Sequence, residues 1–110
     1  MKINIKNGDL IIVKAKITMK STEDGGRHFS FKSVYRPNHV FELPENLQDL
    51  KTYIGDILFD DQELFEPGTA KVVTVRFLNI LDIQRYISIG RKWYINEAVR
   101  TLGFGEIMSV

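Results

Sequence analysis

The sequence predicts a single, mainly β domain, and three observations lead there. Ile and Val number 13 and 8 against only 3 Ala, and 6 Thr add to the β-branched set; branched Cβ atoms suit a pleated sheet and are stiff in helices. Apolar and polar residues alternate through several runs, most clearly over residues 10–20 and 70–77, the period of a half-buried strand. The length of 110 residues allows one hydrophobic core, with no linker, repeat or low-complexity segment to divide it.

The first element is a hairpin. Lys2-Ile3-Asn4-Ile5-Lys6 alternates, Asn7-Gly8 is a preferred type I′ turn pair, and alternation resumes at Asp9. Ile11, Val13, Ala15, Ile17 and Met19 share the core face of the return strand, and Lys14, Lys16, Thr18 and Lys20 the other. A two-residue loop sets Ile5 opposite Leu10 and Ile3 opposite Ile12, so these four make an apolar patch outside the main core stripe, and residues 1–13 read as an added hairpin region.

A polar loop at residues 21–28 contains Gly25-Gly26. Phe29, Phe31, Ser33 and Tyr35 then alternate with their neighbours up to Pro37, which lacks a ladder donor and interrupts or ends the strand. A short extended stretch is expected over 38–43. Pro44 with Leu47, Leu50 and Ile54 at helical spacing, stopped by Gly55, predicts a short inserted amphipathic helix at 44–55. Pro67-Gly68 turns the chain into a strand with Val73, Val75 and Phe77 on one face. Residues 79–90 fit either a helical face through Ile80, Ile83 and Ile87 or a long hairpin arm. Trp93 and Ile95 mark another strand, with Tyr94 on its opposite face, and residues 101–110 form the last.

The net charge of +1 conceals an asymmetry. Residues 1–41 carry eight Lys/Arg and three Asp/Glu, residues 42–66 one Lys and eight acids, and residues 67–110 six bases and three acids. A compact fold can therefore separate a basic face from an acidic one.

Several function classes are disfavoured. Without cysteine there is neither a disulfide scaffold nor a thiolate metal site, and His28 and His39 alone are too few for an ordinary zinc site. Asp60, Asp61, Glu63 and Glu66 lack the glycine and spacing of a calcium loop. There is no P-loop, Rossmann fingerprint, serine elbow or metalloprotease helix, and Gly103-Phe104-Gly105 lacks a third glycine. No nucleophile or orienting carboxylate accompanies either histidine as a general base. The chain is expected to be no enzyme and to use no metal or cofactor. The N-terminus has no apolar h-region and no apolar run reaches 18 residues, so a cytoplasmic location and no membrane contact are expected.

Three motifs together are more specific than any one of them: Gly25-Gly26-Arg27-His28, Tyr35-Arg36-Pro37 and Arg100-Thr101-Leu102-Gly103-Phe104-Gly105. In order and approximate spacing they resemble the GGRH loop, YRP segment and closing RTVGAG-type strand of the third, C-terminal domain of translation elongation factor Tu. The Pro67-Gly68 turn before an alternating strand fits the same pattern. The resemblance covers about residues 14–110, interrupted near 44–54 and within 79–91. It implies a closed six-stranded antiparallel Greek-key barrel in which both chain ends are strands.

That family domain contributes no catalysis. It docks a GTPase domain, binds an exchange factor and contacts the aminoacyl-tRNA backbone. The resemblance accordingly implies a non-catalytic binding module without GTPase activity of its own, with a protein partner in a translation-related setting. The alternative is tRNA or structured-RNA backbone binding through the Arg27-His28 loop and Arg100. By position, the family's RNA- or partner-facing groups map to Arg27, His28, Arg36, Asn38, Glu97 and Arg100. Where the family has EGGR this chain has Glu97-Ala98-Val99-Arg100, and Phe104 stands within the terminal GAG. Arg36 and Arg100 have a structural alternative, pairing with barrel-end carboxylates such as Glu97. Ile3, Ile5, Leu10 and Ile12 form the apolar interface candidate, for self-association into a homo-oligomer or for covering the surface that docks the GTPase domain in the full factor.

Overall fold

The computed structural model describes residues 9–110. The chain forms six strands: β1 (Leu10–Met19), β2 (Asn38–Val40), β3 (Tyr53–Leu58), β4 (Ala70–Leu78), β5 (Lys92–Glu97) and β6 (Arg100–Ser109). They close in the order β1-β4-β3-β2-β5-β6, every neighbouring pair antiparallel. Strands β2, β3 and β4 follow one another and β1 lies beside β4, a Greek-key connection. Ile3, Ile5 and the Asn7-Gly8 turn lie outside the described residues.

Alternation builds the barrel as the sequence predicts. Ile11, Val13, Ala15, Ile17 and Met19 are buried along β1, Val73, Val75 and Phe77 along β4, and Trp93 and Ile95 along β5. Two glycines let β6 close over this core. Gly105 pairs with Trp93, and a Cβ there would sit 2.6 Å from the indole ring; one at Gly103 would sit 2.6 Å from the Thr18 carbonyl oxygen. A bulkier residue at 105 would displace Trp93, whose ring packs on Phe77 (5.5 Å) and Phe41 (5.8 Å). The side chain of Phe104 points outward and is 46% exposed.

The expected helix at 44–55 is replaced by a single 3-10 turn, Leu47–Asp49, followed by β3. Leu47 and Ile54, two of the three residues behind that expectation, are exposed. Tyr53, Gly55 and Ile57 alternate into the core instead, and Gly55 and Ile57 pair with Phe77 and Val75. A helix of two to three turns is marginal without a buried face, whereas β3 gains both a ladder and a core position. Residues 29–36 also depart from expectation. They make only two bridges, Phe31 to Phe65 and Tyr35 to Ile57, with Phe29 78% exposed. Side chains hold this segment: Phe31 stacks on Tyr35 (4.0 Å) and Phe65 (5.0 Å) and meets Phe59 edge-on (5.9 Å). Within the ambiguous 79–90 stretch, Ile83–Tyr86 forms a 3-10 turn that buries Ile83 and Tyr86.

Candidate functional site

Four of the six residues singled out by motif meet at one end of the barrel. The β5–β6 hairpin supplies Glu97 and Arg100, the Gly25-Gly26 loop supplies Arg27 and His28, and with Phe29 and Leu102 they line a depression of about 200 Å³. The loop geometry depends on its glycines. Gly25 has φ 93°, and a Cβ on Gly26 would fall 2.2 Å from the Lys20 carbonyl oxygen, so only glycine lets the loop fold back on β1.

The cations here are engaged within the chain. Arg27 forms an ion pair with Glu97, donates Nε–H to the Phe29 carbonyl (3.2 Å), and lies 5.1 and 5.5 Å from the Tyr35 and Phe31 ring centroids. Tyr35 donates its hydroxyl to the same Glu97 carboxylate at 2.6 Å. Burial, and then that bond to Glu97, push the Tyr35 pKa well above its ordinary value. Arg100 donates to the carbonyls of Gly25 (3.0 Å) and Gly26 (2.9 Å), bracing the loop against β6. His28 is exposed at the rim. Between Glu97 and Arg100, Ala98 has φ 53°, a left-handed conformation at a position where the resembling motif carries glycine.

Arg36 and Asn38 stand apart from this depression. Arg36 donates to Asp56 at 2.7 Å, and Arg76 on β4 donates to the other oxygen of the same carboxylate at 2.9 Å. Asn38 is an exposed β2 residue paired with Ile54 and Asn96. Arg36 thus pairs with a carboxylate as the structural alternative expected, with Asp56 and not Glu97, whereas Glu97 is taken by Arg27 and Arg100 pairs with loop carbonyls.

The apolar interface candidate is part of a wider surface. Leu10 (48% exposed) and Ile12 (51%) lie on the outer face of β1, and Leu10 pairs with Leu78. Ile54 (56% exposed) precedes Gly55, the partner of Phe77, and so lies on the other side of Leu78. The next row across the same strands is Ile12, Arg76 and Asp56. Leu10, Ile54, Leu78, Arg36, Asp56 and Arg76 line a shallow depression of about 200 Å³. Sequence reading placed Leu10 and Ile12 there from alternation alone. It missed Ile54, Leu78 and Arg76, because three strands distant in sequence bring them together.

A larger cleft, about 630 Å³, opens beside Phe41, Glu42, Asp49, Lys51, Tyr53 and Tyr86. Tyr53 donates to Asp82 (2.5 Å) and Tyr86 to Glu42 (2.8 Å), and burial followed by these bonds raises both phenol pKa values. Among the described residues no group of three or more His, Asp or Glu is arranged to hold a metal ion, and no helix is long and apolar enough to cross a membrane. No protein-family model matches the chain.

Proposed function

We propose that this chain is a non-catalytic binding module that docks a protein partner through the outer face of β1, β4 and β3. The observation that carries this reading is the contrast between its two candidate surfaces. At the barrel end, Arg27 is paired with Glu97, whose negative charge disfavours a phosphate beside it, and Arg100 donates to the carbonyls of Gly25 and Gly26. On the sheet face, Leu10, Ile12 and Ile54 are each about half exposed and adjacent across three strands, the pattern expected of a protein contact. The translation setting, the absence of GTPase activity and the cytoplasmic location rest on the resemblance to the elongation factor Tu C-terminal domain and on sequence composition.

The test compares two variants of the full chain. Capture of a nuclease-resistant protein partner is expected to be lost in the double variant Ile12→Glu, Ile54→Glu and retained in Arg27→Ala. Titration with labelled tRNA is expected to give only weak binding that Arg27→Ala and Arg100→Ala leave unchanged. Tight tRNA binding abolished by those two substitutions, with a steep salt dependence, would overturn the reading in favour of RNA.

A further inference from the structure

The chemistry of the β1-β4-β3 face specifies more than an apolar contact. Asp56, with its side chain only 16% exposed, is shared by two guanidiniums, Arg36 on one oxygen and Arg76 on the other. Two guanidiniums offer ten N–H donors to a single carboxylate. The shortage shows: Arg76 Nε is buried with no hydrogen-bond acceptor, an omission that folded proteins rarely leave uncompensated. Lys14 stands one row further along β1, paired with Thr74. Three cations, Arg36, Arg76 and Lys14, thus stand around Asp56 and an apolar floor.

We infer that this face takes a partner segment in extended conformation that presents an apolar side chain and a carboxylate two residues apart. This deepens the docking reading above and rests on it. The spacing comes from β4 itself: Leu78 belongs to the apolar row and Arg76, two residues back, to the charged row, on the same side of the strand. Side chains two apart on a strand are separated by about 6.5–7 Å. An extended peptide laid along β4 has the same period. It can place an aliphatic group among Leu10, Leu78 and Ile54 while its carboxylate meets Arg36 and Arg76. Arg36 is free to reorient toward it, its side chain being 73% exposed. A bidentate carboxylate–guanidinium contact gives orientation as well as attraction.

The probes are three blocked tetrapeptides titrated into the isotopically labelled full chain and followed by amide chemical shifts. They are acetyl-Leu-Thr-Glu-Thr-amide, the same peptide with Gln for Glu, and the same with Ser for Leu. The first is expected to bind with a dissociation constant on the order of 1 mM, perturbing Leu10, Ile12, Ile54, Leu78 and Arg76. Each altered peptide is expected to bind at least fivefold more weakly. Arg36→Gln, an exposed change that leaves the fold intact, is expected to remove the difference between the Glu and Gln peptides. Equal binding of those two peptides, perturbation confined to another surface, or no shift at all overturns the assignment. A captured partner that is lost in Ile12→Glu, Ile54→Glu but retained in Arg36→Gln likewise overturns the acidic chemistry while leaving the docking face standing. Loss of neither would remove the docking reading itself.

Discussion

Trp93 donates its indole N–H to Nδ1 of His39 across 3.0 Å inside the barrel. Indole nitrogen has no lone pair to offer, so Nδ1 must be unprotonated, and Nε2 carries the hydrogen that meets the Gly55 carbonyl at 3.0 Å. A histidine considered in sequence as a possible general base is thus a fully bonded core residue, 0% exposed and 5.0 Å from the Phe77 ring. Burial holds it neutral, with a pKa lowered to about 4 from the ordinary 6.5.

Stability should therefore depend on pH in a defined window. Between pH 6.5 and 4 the unfolded chain protonates His39 while the folded chain does not, so the unfolded state binds the extra proton. The contribution of His39 is complete above pH 6.5 and declines as the pH falls toward 4, by about 3 kcal/mol in total. Urea unfolding followed by Trp93 fluorescence at several pH values checks this. His39→Gln is expected to be less stable at neutral pH and to show a flatter dependence across that window.

The turn at Ala98 offers a test of opposite sign. Its φ of 53° is costly for any residue with a Cβ. Ala98→Gly should raise stability by about 1 kcal/mol, seen as a melting temperature several degrees higher. An unchanged or lower melting temperature would show that the hairpin gains nothing from the extra freedom.

At Gly105 the expectation reverses. The added methyl of Gly105→Ala falls 2.6 Å from the Trp93 ring, which packs against Phe77 and Phe41 and must shift from its place in the core to make room. A loss of about 1–3 kcal/mol is expected, the range for overpacked cores. A red shift of Trp93 emission should accompany it as the indole is pushed from its position.

Replacing Glu97 separates the pieces of the barrel-end network. Arg27 and Glu97 have side chains 24% and 47% exposed, so Glu97→Gln should cost no more than about 1 kcal/mol. The Tyr35 phenol should then ionise more readily in an ultraviolet pH titration, yet remain harder to ionise than a free tyrosine, because burial is the leading cause of its shift.

Leu47 is 59% exposed on its 3-10 turn, whereas Ile57 is fully buried on β3. Leu47→Ser should change stability by less than about 0.5 kcal/mol, and Ile57→Ala should cost about 2–5 kcal/mol. Comparable losses at both positions in chemical denaturation would contradict the observed placement.

The strands β1, β4, β5 and β6 were legible because alternation is a local property: each residue's face follows from its neighbours two positions away. The outward faces of Leu10 and Ile12 were legible for the same reason; that Arg27, His28, Glu97 and Arg100 share one barrel end while Arg36 and Asn38 do not was outside the reach of local pattern. Residues 44–55 misled because Leu47, Leu50 and Ile54 keep helical spacing without having anything to pack a helix against. The true partners of Gly55 and Ile57 are Phe77 and Val75, some twenty residues on.

By itself the amino-acid order determined the all-β class, the buried faces of the long strands and the glycines that let the chain turn and close. Only the tertiary structure decided which charges meet. Arg27 finds Glu97 seventy residues away, and Arg36 and Arg76 converge on Asp56 from opposite sides in sequence. Local periodicity records which way a side chain points, but a salt bridge or a docking face is a relation between strands. It exists once barrel closure and register bring those strands into contact.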